Sequence, residues 1–144
     1  MNTVSYMLKT KGSKVFTVPV DGSVLDALDI LVENKIGSVL VMDGDKLAGI
    51  FTERDFVYKL GPKRKDPAKL KIADVMTREV ITVTPQHTVN KCMSVMTDNH
   101  FRHLPVLEDG KVVGIVSIGD VVKDLIEELQ FMVEQFEMYI QGLR

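Results

Sequence analysis

The sequence predicts an α+β fold in which two β-α-β-β-α repeats pack about a pseudo-twofold axis, followed by a long C-terminal helix. Three observations predict it: an internal duplication, the same order of elements in both copies, and a C-terminal stripe of apolar residues at helical spacing. A unit of about 60 residues is only marginally stable alone, so we expect the two repeats to fold together.

The duplication covers most of the chain. Residues 15–57, the first repeat, align without a gap to residues 80–122, the second repeat. Both repeats contain the pattern Gly-Ile-x-Thr/Ser-x-x-Asp, in "GIFTERD", which begins at Gly49, and in "GIVSIGD", which begins at Gly114. The predicted units are a first domain at 8–68, a second domain at 73–131 and a C-terminal helix at 119–143.

Each repeat begins with a β-rich run, at 15–18 or 80–83, and a turn then leads into a helix. Ser23 and Thr88 stand at the N-cap positions of these helices, where a hydroxyl can accept hydrogen bonds from free amides. Both helices carry an apolar stripe. Its members are Val24, Leu28, Leu31 and Val32 in the first repeat, and Val89, Met93, Val95 and Met96 in the second.

A β-hairpin follows each of these helices. Its strands are predicted at 38–42 and 47–51 in the first repeat, and at 103–107 and 112–116 in the second. Acidic residues beside glycine separate the strands and permit the positive φ of a hairpin turn. The second strand runs into a helix near Glu53 or Ile118, and a short helix is predicted at 72–76 between the repeats.

The C-terminal helix carries apolar residues at alternating spacings of three and four. They are Val122, Leu125, Leu129, Met132, Phe136, Tyr139 and Leu143, with Ile126, Val133 and Ile140 widening the stripe. Such a stripe, with glutamates outside it, is typical of a helix that packs lengthwise on another helix. We therefore predict self-association; the alternative is that the helix folds back onto its own domain.

The duplicated Gly-Ile-x-Thr/Ser-x-x-Asp segment leaves a strand and enters a helix. Its hydroxyls belong to Thr52 and Ser117, and its carboxylates to Asp55 and Asp120. The free amides of a helix start favour an anion, and a carboxylate one turn later can accept hydrogen bonds from a ribose diol. These residues suit a nucleoside phosphate. The alternative is that the hydroxyl only caps the helix and the carboxylate is only a first-turn charge.

Together these features resemble a tandem pair of CBS (cystathionine-β-synthase) domains, the Bateman module. "FRHLPVLEDGKVVGIVSIGDVV" in the second repeat and "IGSVLVMDGDKLAGIFTERDF" in the first are similar to the family pattern, and the likeness covers residues 8–130. The resemblance implies a regulatory module that binds AMP, ADP, ATP, NAD or S-adenosylmethionine and acts on a target protein. It also implies a homodimer, built as a disc of four CBS units.

The resemblance further implies which residues bind the nucleotide. Asp55 and Asp120 are the expected ribose carboxylates, with the hydroxyls of Thr52 and Ser117. Residues near the base and phosphates are Phe16, Thr17, Ile36, Gly37 and Ser38 in the first repeat, and Ile81, Thr82, Phe101, Arg102 and His103 in the second. Arg54 is the expected phosphate-binding cation, and Gly119 replaces it in the second repeat. Because the basic residues are distributed reciprocally, we expect the two sites to differ in anion affinity.

Composition and motifs disfavour other classes. The net charge of −2 gives no support for nucleic-acid binding, and the basic run at 63–71 is more readily explained as a solvated linker. One cysteine, Cys92, and no apolar run that could span a bilayer predict a soluble cytoplasmic protein.

No cofactor, metal site or enzymatic activity is predicted. The three histidines share no metal-ligand spacing, and neither a phosphate loop nor a catalytic triad is evident in the sequence. Two alternatives to the nucleotide sensor stay open: a structural dimerisation module without a ligand, and nucleic-acid binding through residues 63–71.

Overall fold

The computed structural model of the chain describes residues 2–61 and 65–142. The elements, in chain order, are α1 (Val4–Lys11), β1 (Thr17–Pro19), α2 (Val24–Asn34), β2 (Ser38–Asp43), β3 (Lys46–Thr52), α3 (Glu53–Asp55), α4 (Ile72–Val75), α5 (Val89–Asn99), β4 (His103–Glu108), β5 (Lys111–Ser117) and α6 (Ile118–Gly142). A π-helical turn at Phe56–Leu60 continues α3, and a 3-10 turn at Pro67–Lys69 precedes α4. The predicted α+β fold with two repeats and a long C-terminal helix is confirmed.

The first sheet has the strand order β1-β2-β3. β1 runs parallel to β2, and β2 pairs antiparallel with β3. The β2–β3 hairpin turns at Gly44, whose φ of 59° is easily adopted by glycine. The strand predicted at 15–18 lies at Thr17–Pro19, and the hairpin is found where it was predicted.

The second sheet differs, because it consists of the antiparallel pair β4–β5 within the described residues. The prediction of a strand at 80–83 is wrong. That run makes a single parallel bridge, between Val83 and Val106. The β-α-β-β-α order is therefore complete in the first repeat and lacks its first strand in the second.

Two prolines explain the missing strand. In the first repeat the Leu40 N–H donates to the Phe16 carbonyl at 3.0 Å, and the Val20 N–H donates to the Met42 carbonyl at 2.9 Å. The positions equivalent to the two donors hold Pro105 and Pro85, which have no N–H. The second repeat therefore lacks two of the hydrogen bonds that hold β1 in the first repeat, and its equivalent segment makes a single bridge.

Helices α2 and α5 are capped and buried in equivalent ways. The predicted N-caps are confirmed: the side chain of Ser23 accepts from Asp26 N–H, and that of Thr88 accepts from Lys91 N–H. The buried residues are Val24, Ala27 and Leu31 in α2, and Val89, Cys92 and Met96 in α5. Val32 and Met93 were wrongly placed in the buried stripes, since they are 76% and 39% exposed. The buried face centres on the small residues Ala27 and Cys92.

The segments that precede the two repeats are exchanged between the cores. Val4 of α1 is buried in the core of the second repeat, whereas Ile72 of α4 is buried in the core of the first. Equivalent backbone bonds hold both helices: Val4 N–H donates to the His87 carbonyl at 2.8 Å, and Ile72 N–H donates to the Gly22 carbonyl at 3.0 Å. The two repeats therefore interlock through α1 and α4.

Of the two exchanged helices, α4 was predicted from the sequence and α1 was not. The local signals for α1 are a capping hydroxyl, Thr3, which accepts from Tyr6 N–H, and the buried apolar residues Val4 and Met7. A helix of this length is unstable by itself in water. Contacts with the second repeat therefore stabilise α1, and a local pattern cannot reveal them.

α6 extends far beyond the second repeat. Val121 and Asp124 are buried near its start, but every described residue from Phe131 onward is exposed. The exposed members of the predicted stripe are Val122, Ile126, Leu129, Met132, Val133, Phe136, Tyr139 and Ile140. Leu143 lies outside the described residues. The end of α6 thus does not fold back onto its own chain.

The linker between the repeats holds the predicted basic run. Lys63 and Arg64 lie outside the described residues, while Lys65, Lys69 and Lys71 are exposed. Of the helices that the structure describes, none is both long enough and apolar enough to cross a membrane.

Candidate functional site

The Thr/Ser-x-x-Asp segments form reciprocal capping boxes at the starts of α3 and α6. Asp55 N–H donates to Thr52 Oγ1 at 3.2 Å, and Thr52 N–H donates to Asp55 Oδ2 at 3.0 Å. Asp120 N–H donates to Ser117 Oγ at 3.2 Å, and Ser117 N–H donates to Asp120 Oδ2 at 2.8 Å. All four side chains therefore cap their helices. Any further binding depends on the acceptor capacity that each carboxylate retains.

Asp55 retains little acceptor capacity. Its Oδ1 accepts a hydrogen bond from Thr77 Oγ1 at 2.9 Å and lies 3.0 Å from the Lys59 ammonium. Thr52 Oγ1 lies 3.2 Å from Asp55 Oδ2. Only 7% of Asp55 is exposed. A ribose diol could reach this carboxylate only if Thr77 and Lys59 moved away.

Asp120 is more open. Its side chain is 22% exposed, and its Oδ2 pairs with the Lys11 ammonium as well as with Ser117 N–H. Among the described residues, none donates a hydrogen bond to Oδ1. Burial raises the pKa of Asp120, but the hydrogen bonds from Lys11 and Ser117 outweigh burial and lower the pKa below its usual value. The carboxylate is therefore ionised at neutral pH, with one oxygen free.

Backbone hydrogen bonds hold the start of a strand beside each capping box. Glu53 N–H donates to the Gly37 carbonyl at 3.1 Å, and Ile118 N–H donates to the Arg102 carbonyl at 2.8 Å. The segments predicted to approach the phosphates, 36–38 and 101–103, therefore lie next to the starts of α3 and α6. This adjacency is what both predicted sites require.

The two repeats meet where β2 and β4 begin. A Cβ atom added to Gly37 would lie 2.6 Å from Glu53 Oε1 and 3.4 Å from His103 Cε1, so a larger residue would displace the Glu53 side chain. Burial lowers the pKa of His103, against the opposing effect of the Glu53 and Asp120 carboxylates. Gly37 and His103 are thus brought together beside Glu53, which was not among the predicted site residues.

The other predicted residues surround these positions. Phe16, Ile36, Ile81, Thr82 and Phe101 are half-buried, Ser38 is buried, and Thr17, Arg102 and Gly119 are exposed. The Arg54 guanidinium lies 5.4 Å from the ring centre of Tyr58, one turn along the chain. Gly119 contributes to an open groove of about 530 Å³ along α6, together with Val122 and Ile126.

Three residues that contact the carboxylates were absent from the predicted site: Lys11, Lys59 and Thr77. Lys59 could have been inferred, because it stands four residues after Asp55 on the same helical face. Lys11 is the last residue of α1, and Thr77 follows α4; these are the two exchanged helices. No local pattern indicates contacts between segments so far apart along the chain.

The described residues contain no group of three or more His, Cys, Asp or Glu side chains that could hold a metal ion. Cys92 is fully buried, and burial raises the pKa of its thiol to about 11. The thiol is therefore protonated at neutral pH and is a poor nucleophile.

Comparison with known sequences decides the family. The family model of the CBS domain matches the sequence twice, at residues 6–61 and 72–127. The chain belongs to the CBS-domain family. The CBS domain-containing protein CBSX3, a mitochondrial protein of Arabidopsis thaliana, is 36% identical to this CBS pair, over 97% of the chain and 72% of the relative.

Solved structures of CBS domains share this fold. One crystal structure of a CBS domain is 43% identical, with a TM-score of 0.83, over 87% of this chain and 98% of its own. A CBS-domain protein from Burkholderia ambifaria, provisionally assigned to signal transduction, is 40% identical with a TM-score of 0.84, over 88% and 95% of the two chains. The predicted resemblance is confirmed, and this CBS pair belongs to a family of regulatory and signal-transduction proteins.

Proposed function

We propose that this CBS pair is a regulatory sensor that binds an adenosine-containing ligand at the second repeat. The candidates are AMP, ADP, ATP and NAD, with S-adenosylmethionine sharing the same adenosine part. The observation that carries the proposal is the Asp120 carboxylate, which is ionised and lies at the start of the 25-residue helix α6. One of its oxygens accepts no hydrogen bond from residues 2–61 and 65–142. A carboxylate accepts hydrogen bonds from both hydroxyls of a ribose diol.

The charges around Asp120 support a phosphate-bearing ligand. Arg102 and His103 lie at the start of β4, beside the N-terminus of α6, whose free amides add partial positive charge. We assign the base to the half-buried Ile81 and Phe101. Burial lowers the pKa of His103, so its imidazole is uncharged at neutral pH and Arg102 supplies the side-chain positive charge. One cation next to a diol-binding acid matches the two ends of a nucleotide.

The first repeat is proposed to bind the same ligands more weakly or not at all. Its carboxylate, Asp55, already accepts a hydrogen bond from Thr77 and pairs with Lys59. Arg54, the expected phosphate cation, lies over Tyr58. The two sites are therefore expected to differ, as the reciprocal distribution of basic residues predicts.

Calorimetric titration with AMP, ADP, ATP, NAD and S-adenosylmethionine tests the sensor. Asp120→Asn keeps the size of the side chain but removes its charge, and is expected to weaken binding by about tenfold. Asp55→Asn is the matched control and should change Kd by less than about twofold, because Asp55 is satisfied inside the protein. No binding of any of the five ligands would refute the sensor. Equal losses in both variants would refute the assignment to the second repeat.

We further propose that the chain forms a homodimer through the exposed stripe of α6, within the predicted disc of four CBS units. The stripe combines aromatic and aliphatic side chains, such as Phe136 and Tyr139, both 65% exposed. Ligand binding would then act by changing the relative orientation of the repeats or of the protomers, which a target protein detects. The same stripe supports a second candidate function, a dimerisation module that needs no ligand.

Light scattering after size-exclusion chromatography tests the dimer. Phe136→Ser removes a central aromatic residue of the stripe and is expected to weaken dimerisation by at least about tenfold. Glu137→Ser changes the neighbouring position outside the stripe and serves as the control. A wild-type protein that stays monomeric at high concentration would contradict the proposal.

The output is proposed to be regulatory rather than catalytic, through a target protein that is not identified. The domain bounds at 8–68 and 73–131, and the C-terminal helix at 119–143, stay predictions. So does the cytoplasmic location, since the Arabidopsis thaliana relative is mitochondrial.

A further inference from the structure

Lys11 joins the N-terminal helix to the carboxylate of the second repeat. It is the last residue of α1, and its ammonium donates to the Ile115 carbonyl at 2.8 Å and pairs with Asp120 Oδ2. Its side chain is 28% exposed, so the pair lies at the protein surface. The contact joins residues 109 positions apart along the chain.

The hydrogen bonds of Asp120 show why this contact matters for binding. Oδ2 already accepts from Ser117 N–H and from Lys11, which together use both of its lone pairs. Oδ1 has no donor among the described residues. A diol that binds both oxygens of a carboxylate therefore needs the position that the Lys11 ammonium occupies on Oδ2.

We propose that Lys11 competes with the ligand for Asp120, so that nucleotide binding releases the last turn of α1. This inference rests on the proposed function and adds a regulatory role for α1. Lys11 takes the place of the ligand when the site is empty, because its ammonium pairs with the ionised Asp120 carboxylate. Binding of the diol displaces this ammonium from Oδ2.

Only the end of α1 is free to respond in this way. Val4 and Met7 anchor the first turns in the core of the second repeat, whereas Lys11 precedes Gly12, where the helix ends. The residues after Gly12 lead directly into β1 of the first repeat. Release of Lys11 therefore alters the segment that links the ligand site of the second repeat to the first repeat.

Two measurements on one set of variants test the proposal: titration with AMP, ADP, ATP, NAD and S-adenosylmethionine, and hydrogen exchange of the Gly12 amide, which donates to the Leu8 carbonyl at 2.8 Å. Lys11→Met is expected to tighten binding by roughly two- to fivefold, because the competing ion pair is lost. Lys11→Arg keeps the charge and should behave like the wild type. Lys9→Met, in the same exposed turn, is the control.

In the wild type, ligand should accelerate exchange at Gly12. In Lys11→Met, exchange should already be fast without ligand and should change little when ligand is added. Weaker or unchanged binding by Lys11→Met would overturn the competition while leaving the sensor intact. Unaltered Gly12 exchange in a ligand-saturated wild type would also overturn it. If neither wild type nor Lys11→Met binds any of the five ligands, the sensor and the competition both fail.

Discussion

Asp55 and Asp120 stand at the same position of the same motif, yet their surroundings differ. Both complete a capping box, but Asp55 is buried with donors at both oxygens, while Asp120 Oδ1 accepts no hydrogen bond from the part of the chain that the structure describes. The decisive donors come from outside the motif: Thr77 follows α4, and Lys11 ends α1. The exchanged segments, together with Lys59, therefore determine how much acceptor capacity each carboxylate retains.

The largest expected difference between the repeats concerns their equivalent glycines. A Cβ atom on Gly49 would lie 2.8 Å from the Thr77 carbonyl oxygen, whereas the three atoms nearest to one on Gly114 all belong to the flexible side chain of Leu8. Two backbone bonds between Ile50 and Thr77 hold the Thr77 carbonyl in place. Gly49→Ala should therefore lower the free energy of unfolding by about 3 kcal/mol, and Gly114→Ala by about 1 kcal/mol.

Denaturant unfolding of both variants measures this difference. Equal losses of unfolding free energy would show that the segments packed against Gly49 and Gly114 are equally rigid. The comparison between the two repeats would then depend only on the surroundings of their carboxylates.

A smaller difference is expected when the carboxylates are removed. Asp55→Ala leaves the half-buried hydroxyl of Thr77 without its acceptor and removes the carboxylate that pairs with Lys59, and should cost about 2 kcal/mol of stability. Asp120→Ala mainly removes a helix cap and a partly exposed ion pair, and should cost about 1 kcal/mol. Thermal unfolding of both variants, without ligand, provides the measurement. A greater loss for Asp120→Ala would reverse the comparison.

The smallest expected effect is a pH dependence that belongs to Asp120. Its pKa is lowered in the folded protein because hydrogen bonds from Lys11 and Ser117 outweigh the opposing effect of burial. Its ionised form therefore stabilises the fold above the ordinary carboxyl pKa of about 4, and this contribution is lost as the pH falls further. The difference in melting temperature between wild type and Asp120→Asn should be constant near neutral pH and should shrink below about pH 4. A difference that stays constant down to pH 3 would argue against the Lys11 pair.

Features with local signals were predictable from the sequence. The hairpins, the caps at Ser23 and Thr88 and the start of α6 depend on residue types at short spacing, and all lie where they were predicted. The motif residues were located for the same reason. The capping boxes show that the structural alternative, a cap with a first-turn charge, also describes these residues correctly.

Features set by distant contacts were not predictable in this way. α1 and the roles of Lys11 and Thr77 depend on the exchange of helices between repeats, which no local pattern records. The missing strand of the second repeat is different. Pro85 and Pro105 were visible in the sequence, but their effect appears only when the β1–β2 hydrogen bonds of the first repeat show which donors are needed.

The exchange of helices also affects how the chain folds during synthesis. α1 leaves the ribosome before both repeats, but its buried residue Val4 belongs to a core that includes Val116 and Val121, which are translated much later. The core of the first repeat likewise lacks the buried residues of α4, such as Ile72, until α4 has emerged from the ribosome. Folding of this CBS pair therefore finishes only after Val121 has been translated, and α1 must stay unburied in the meantime.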